Sequence, residues 1–227
     1  MKLAIYTTFC GPVDRITWKP NPIDSRFPHY FIANDPHVFS VTNSFNWKSI
    51  YMDAELTHDA THCAQQAKVP KAMPHIFPEL QEYDYLLYVD DKLTYNLNRI
   101  EETIETMESM GSSIGMRTHN TSPKIDEKNN VLFDIIECMY QWRYRREWER
   151  TVKYVNSQIN LGKKLETKKY FATGLILRNM RHPDTQKINE TWYDHIQQCG
   201  PQCQISFHFV AQEFKNIKIL PQNMASW

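Results

Sequence analysis

The stretch Asp84-Tyr85-Leu86-Leu87-Tyr88-Val89-Asp90-Asp91-Lys92-Leu93 governs how the remaining residues are read. Its apolar run is short, aromatic-rich and β-branched near its end, which is the composition of a buried strand. Two carboxylates and an ammonium follow at once, so the charges sit where a central strand leaves its sheet. Open α/β folds place ligand chemistry at that edge. A strand followed by an acidic turn is the plainer reading, and by itself the stretch does not choose between the two.

Working outward, strands and helices alternate. Lys2 to Thr8 reads as a first strand, ended by Gly11-Pro12, and Tyr30 to Ala33 as a second running into Asn34-Asp35-Pro36. Ser44 to Met52, with Phe45, Trp47 and Tyr51 alternating, reads as a third. Ala54 to Met73 turns helical, is broken by Pro70 and stops at Pro74. Beyond the opening stretch, Asn98 to Met110 repeats Ile100, Ile104, Met107 and Met110 at helical spacing, and Gly111 closes it. Ile114 to Thr118 is a strand, followed by a polar loop through Lys128. One long helix is expected over Leu132 to Ile159, with Phe133, Ile136, Tyr140, Tyr144 and Trp148 on one face. Phe171 to Leu177 follows as a strand, Asp184 to Gln197 and Gln204 to Phe214 as helices, and Ile217 to Leu220 as a last strand. With no repeat, low-complexity segment or clear linker, this order predicts one α/β domain with a mixed, mainly parallel sheet flanked by helices.

Composition narrows the function classes. The 227 residues suffice for one large domain with a sizeable core. Lys plus Arg and Asp plus Glu both number 26, so the net charge is zero. A protein built around a nucleic-acid backbone calls for a basic excess, so no nucleic-acid partner is expected. The Trp142-Arg143-Tyr144-Arg145-Arg146-Glu147-Trp148 run could grip a nucleic acid, but a solvated face with aromatic anchors is the commoner origin of such a mixture. No apolar run approaches a membrane span, and the first residues read as a strand, so a soluble protein is expected. Five cysteines, an odd number, scattered over Cys10, Cys63, Cys138, Cys199 and Cys203, suit a reducing compartment, and a cytoplasmic location is the expectation.

Three groups of residues carry chemistry. Asp90 and Asp91 at a strand end can hold a divalent cation, Mn or Mg, which would neutralise a diphosphate, and Lys92 can do part of that work as a point charge. Lys68 and Lys71 are one helical turn apart, and His75 follows Pro74 just before the central strand. Two cations and an imidazole aimed at a cleft suit an anionic nucleotide, although for the lysines alone a solvated helix end favoured by the macrodipole is the commoner reading. His119 lies beyond the strand Ile114 to Thr118 beside Arg117, and His208 is a candidate last ligand to a metal on Asp90.

Taken together, these pieces resemble the TOD/MUCI-type glycosyltransferases, a family assigned the GT-A fold, and the resemblance runs over almost the whole chain. Tyr6-Thr7-Thr8-Phe9-Cys10-Gly11-Pro12-Val13-Asp14 is similar to the family's opening Tyr-Thr, Gly and Asp. Tyr30 to Asp35 matches its second strand, and Lys71-Ala72-Met73-Pro74-His75 its Lys-x-x-Pro-His. The family strand ends in Asp-Gly-Lys, which puts Asp90 and Lys92 on family positions and makes Asp91 the variant. His119 matches a histidine after the next strand, Thr173-Gly174-Leu175-Ile176-Leu177-Arg178 a Thr-Gly-x-x-x-Arg, and Gln204-Ile205-Ser206-Phe207 the end of Arg-Asp-Gln-x-Ser-Phe. Gln202 and Cys203 replace that motif's Arg and Asp, and Trp192 sits in the late helix. A further kinship, with glycosyltransferases that large algal viruses encode for capsid glycans, is an expectation that no motif carries; it would put the protein in the host cytoplasm.

The resemblance implies a single GT-A-like (Rossmann-like) domain over residues 1–227, with a nucleotide-binding half over about 1–95 and an acceptor-side half over about 96–227. It implies sugar transfer from a nucleotide-sugar, with UDP-sugars foremost, to a glycan or glycoprotein. Thr7, Thr8 and Asp35 would lie near base and ribose, and Lys71 and Asp90 at the nucleotide or its phosphates. His75 belongs with these donor-side residues. Lys92 would offset charge on the departing diphosphate, with or without a metal on Asp90, Asp91 and His208. His119, Asp134, Glu137 and Arg178 become candidates for the sugar and acceptor side, and Asp91 and His119 for the base. A binding module that kept the fold without turnover is the alternative.

Overall fold

The expected strand at Tyr85–Val89 forms, and it lies in the middle of the sheet that organises the chain. The computed structural model describes residues 1–119, 131–167 and 169–226. Its strands are β1 (Leu3–Phe9), β2 (His29–Ala33), β3 (Lys48–Tyr51), β4 (Tyr85–Val89), β5 (Thr94–Tyr95), β6 (Ile114–Thr118), β7 (Phe171–Asn179), β8 (Ile217–Ile219) and β9 (Ala225–Ser226). The helices are α1 (His37–Asn43), α2 (Ala60–Gln66), α3 (Lys68–Ala72), α4 (Ile100–Ser109), α5 (Leu132–Tyr140), α6 (Trp142–Arg145), α7 (Trp148–Asn160), α8 (Pro183–Cys199) and α9 (Cys203–Val210). Among the described residues seven strands form one sheet in the order β3-β2-β1-β4-β7-β6-β8. The first four are parallel, β7 runs antiparallel to both β4 and β6, and β8 is parallel to β6. This is the mixed, mainly parallel sheet with helices on its faces that the alternating pattern predicts.

Strand geometry sorts the core. Along β1 and β4, Ala4, Tyr6, Leu86 and Tyr88 point to one face, where Trp192 and Phe207 pack. Leu3, Ile5, Tyr85, Leu87 and Val89 point to the other, against Ile100, Ile104 and Met107 of α4. A third cluster joins Ile135, Cys138, Tyr154, Tyr170 and Phe209 beyond the sheet edge. Because β4 runs parallel to β1 and antiparallel to β7, the last residues of β1, β2, β4 and β6 and the first of β7 share one edge.

Three local expectations are corrected. The strand predicted over Ser44 to Met52 starts only at Lys48, since α1 precedes it and Asn46 turns the chain at φ 63°. Its alternation is also shifted: Ile50 is buried and Tyr51 exposed. The helix predicted from Ala54 begins at Ala60, where the Asp59 carboxylate caps it by accepting from the amides of Thr61 and His62. The long helix predicted over Leu132 to Ile159 is three helices, broken at Gln141 (ψ 111°) and again at Glu147. The break turns Tyr144 inward and leaves Phe133, Ile136 and Tyr140 exposed. A cross-chain tie holds the corner, in which Thr61 Oγ1 donates to the Arg143 carbonyl at 2.9 Å and Arg146 pairs with Asp59. The polar loop through Lys128 lies outside the described residues.

Candidate active site

Everything at the strand exit is built from the end of β4. The Asp90 amide donates to the Gly174 carbonyl at 2.8 Å, which prolongs the β4–β7 ladder by one bond. Asp90 Oδ1 accepts from Lys71 Nζ at 2.9 Å and from the Tyr88 hydroxyl at 2.7 Å. Tyr88 stands two residues before Asp90, so the pleat places both on one face, and Lys71 Nζ also lies 5.0 Å from the centre of the Tyr88 ring. Gly174 makes the fit possible: a Cβ there would lie 3.0 Å from Asp90 Oδ2.

Arg178 sets the position of Lys71 from behind. Fully buried on β7, it donates to the Lys71 carbonyl (2.7 Å), the Tyr6 hydroxyl (2.9 Å) and Asn189 Oδ1 (2.8 Å). It thus pins α3 to the sheet and to α8, and its guanidinium is spent on that work. His75 lies on this side too, with Nε2 3.6 Å from Glu190 Oε1.

The charge balance at the strand exit favours an anion. Burial pushes the Asp90 carboxyl up, but the Lys71 ammonium, Lys68 and the Tyr88 hydroxyl outweigh it and hold it below the usual carboxylate value. Burial likewise lowers Lys71, and its bond to Asp90 more than reverses this. Lys68, half-buried on the same helix, has no hydrogen-bond or ion-pair partner among the described residues, and burial with the neighbouring Lys71 charge lowers its pKa. Arg143 adds a further positive charge near Lys68. Cys203, at the start of α9, completes the group with Sγ 3.5 Å from Thr173 Oγ1. Its burial favours the thiol, but Lys68 and Lys71 prevail and its pKa is lowered.

Asp91 turns away from this group. With Thr7, Trp18, Phe31, Trp47 and Asp90 it lines a crevice over the opposite face of the sheet that is too tight to admit a water molecule. Burial, then the Asp90 charge, raises its pKa to about 6. Among the described residues the Thr7 hydroxyl is buried without a hydrogen-bond partner, an uncompensated cost that a ligand can relieve, whereas the buried Thr8 hydroxyl has the Cys10 thiol beside it. Asp35 is differently employed: its carboxylate accepts from the amides of Val13 (2.8 Å) and His37 (2.9 Å) and shapes the two segments beside the cleft. Lys92 is exposed on the turn.

A second polar group continues the wall. The Thr173 amide donates to Gln204 Oε1 at 3.3 Å, and Gln204 Nε2 donates to Asp134 Oδ2 at 2.7 Å. The Tyr170 hydroxyl also donates to Asp134, and Gln202 Nε2 reaches Oδ1 at 3.4 Å. The His119 ring lies 5.4 Å from that of Tyr170, and its buried Nδ1 has no hydrogen-bond partner among the described residues. Burial raises the Asp134 carboxyl, and Gln204 and the nearby His119 only partly oppose it. Glu137 stands aside, accepting from Gln141.

The donor set does not fit a divalent metal. Asp90 Oδ1 is taken by Lys71 and Tyr88, Asp91 lines the other face, and His208 Nε2 lies 2.8 Å from the Lys164 carbonyl, its ring packed on Tyr170 and Phe209. Among the described residues no three His, Cys, Asp or Glu side chains come together as a metal site.

Of the sequence candidates, the structure brings together Lys71, Asp90 and Lys68, with Thr7 and Asp91 across the sheet. It joins His119 to Asp134, sets Arg178 behind Lys71 as its backbone anchor, packs His208 on Tyr170 with Nε2 at the Lys164 carbonyl, and places His75 beside Glu190. Tyr88, Tyr170 and Thr173 were missed as site residues. Period-two counting back from Asp90 finds the first, whereas the others depend on the antiparallel insertion of β7, which no local pattern announces.

No family model and no curated protein matches this chain. Among solved structures it is similar to mouse xyloside xylosyltransferase 1 in its apo form, with a TM-score of 0.49 and 11% identity over 97% of this chain and 85% of that one. It is likewise similar to the apo bifunctional glycosyltransferase WbbM, with a TM-score of 0.48 and 10% identity over 97% of this chain, which spans only 39% of the WbbM chain. Likeness this distant carries no chemistry.

Proposed function

We propose that this chain binds a nucleoside diphosphate at the exit of β4 and, more particularly, that it is a glycosyltransferase using a nucleotide-sugar, with UDP-sugars the first donors to test. The observation that carries the reading is the Lys68–Lys71–Asp90 group, which holds one cation more than its carboxylate neutralises, at the edge of an α/β sheet where ligands bind. Across the sheet edge from it, Thr7 offers a hydroxyl that is unpaired among the described residues, and half-buried Trp18 is the aromatic ring on which the base would stack.

In this reading an acceptor hydroxyl of a glycan attacks the anomeric carbon of the donor. The bond from that carbon to the diphosphate oxygen breaks, and the electron pair leaves with the nucleoside diphosphate. Lys68 and Lys71, with Lys92 reaching in from the turn, offset the charge that develops there. Asp90 holds Lys71 in place and is not itself a ligand of the sugar. The hydroxyl proton passes to His119, whose imidazolium Asp134 stabilises from within the same polar group. Asp91 is the competing base, and its raised pKa suits that role. No step runs through a metal.

The test is donor hydrolysis and transfer over a panel of nucleotide-sugars in the presence of a chelator. Turnover that falls at least about 100-fold in Lys71→Ala and about 100-fold in His119→Ala supports the reading. Nucleoside-diphosphate binding without turnover on any donor would make the chain a binding module, and failure to bind would refute the site.

A further inference from the structure

The connection from β1 to β2 lies over the crevice proposed for the base. From Ile16 to Pro28 the chain carries no helix or strand. Inside a compact domain such a stretch, once longer than about 12 residues, is usually a binding loop or a lid. Ile16, Ile23 and Phe27 pack on the core cluster of β1, β4 and α4 and fix the two ends of the segment. Between those ends the Trp18 ring stacks on Phe31, with 6.0 Å between centroids and 24° between planes.

Trp18, Pro20 and Asn21 close the crevice from the segment's side, and Thr7 and Asp91 from the sheet's. Thr7 is 3% exposed, and its hydroxyl has no hydrogen-bond partner among the described residues. A buried polar group left in that state calls for a reason, and a ligand that enters the crevice supplies one. Closed as it is, the crevice admits no water and therefore no base. The segment has to lift before a ligand can meet either Thr7 or the inner face of Trp18.

Little holds it down. Among the described residues no backbone–backbone hydrogen bond involves Thr17 to Ile23. Side chains do the fastening instead. Asn21 Nδ2 donates to the Leu93 carbonyl at 2.7 Å, and Trp47 Nε1 donates to the Asn21 carbonyl at 3.0 Å. The Tyr95 hydroxyl lies 3.2 Å from the Pro22 carbonyl. Leu93 directly follows the Asp90-Asp91-Lys92 turn, so Asn21 ties the segment to the turn that carries the charges of the site. A stretch closed by a few side-chain bonds opens at far lower cost than the laddered sheet beneath it.

We infer that Trp18–Asn21 is a strap that closes the base crevice, latched by Asn21 to Leu93, and that it lifts to admit the ligand. That the ligand is a nucleobase rests on the donor reading; the opening does not. Because only the lifted form binds, the closed population weakens the apparent affinity, and a weaker latch gives faster and tighter binding.

The experiment follows proton exchange at two indoles by NMR on the intact chain. The Trp47 Nε1–H is held by the strap. The fully buried Trp192 Nε1–H, which donates to the Cys203 carbonyl and to Ser206 Oγ, reports unfolding of the core. In the wild-type chain the Trp47 proton is expected to exchange at least about 100-fold faster than that of Trp192. Asn21→Ala removes the amide that meets Leu93 and keeps the carbonyl that Trp47 meets. It is expected to speed Trp47 exchange about 10-fold with Trp192 unchanged, and to make UDP binding about 3- to 10-fold faster and tighter. Equal exchange at the two indoles would overturn the strap, as would an Asn21→Ala chain in which both rates rise together or neither does. So would UDP association that stays the same or slows while Trp47 exchange quickens. If neither chain binds any nucleoside diphosphate, the donor reading fails, and the two indole rates still decide whether the strap opens.

Discussion

At the scale of single residues, the strand exit depends on how tightly Asp90 is held. Gly174→Ala would put a methyl 3.0 Å from Asp90 Oδ2, so the carboxylate must shift against Lys71 and Tyr88. Turnover is expected to fall about 10-fold or more while the melting temperature moves by only a few degrees, as kinetics and thermal unfolding on one sample would show. Lys71→Met leaves Asp90 without its cation, and urea unfolding at neutral pH is expected to show a loss of about 3 kcal/mol. Asp91 gives a pH signature of unusual sign. Its folded pKa of about 6 lies above the ordinary carboxylate value, so between about pH 4 and 6 the folded chain keeps a proton that the unfolded chain releases. Stability should therefore fall as the pH rises through that window. Asp91→Asn should flatten the slope and be more stable at neutral pH by up to about 3 kcal/mol. Of these residues, Asp90 and Lys71 were legible as site members in the sequence, because a strand end and a one-turn lysine pair are local patterns. The splaying of Asp91 follows from strand alternation and was legible in principle. The partnership of Asp90 with Gly174 was not, since it joins residues far apart in sequence.

Among the elements, short apolar strands are written locally in the sequence and their directions are not. Strands β4, β6 and β7 were legible because each is a short apolar run between polar turns. The antiparallel course of β7 was not, because direction is set by the path through α5, α6 and α7. Period counting placed Phe133, Ile136, Tyr140, Tyr144 and Trp148 on one helical face, but the break at Gln141 separates Tyr144 from the rest and reverses which side is buried. The break is stabilised by contacts with α2, a neighbour invisible to local pattern. Arg178 shows the same dependence: a polar residue at a strand's inner position reads as a ligand group, yet it fastens α3 to β7 and α8. Arg178→Met should strand three buried acceptors and destabilise the chain by about 3 kcal/mol, measured by denaturant unfolding. It should also weaken nucleoside-diphosphate binding, because the Lys71 backbone loses its anchor. An Arg178→Met chain with unaltered stability would remove that fastening role.

For the whole molecule, two features of different range combine. The sheet edge gathers Thr7, Asp90, His119 and Thr173 from four separate strands or strand exits, and zero net charge leaves binding to this local arrangement. In the proposed function lysines, and no metal, receive the diphosphate. It is tested most directly by calorimetric titration of UDP and other nucleoside diphosphates in the presence of a chelator, on the wild-type chain, Lys68→Ala and Lys71→Ala. The account predicts saturable binding without added metal, weakened about 10-fold or more by either substitution and by added salt. Binding that appears only with manganese and is indifferent to Lys68→Ala would contradict it.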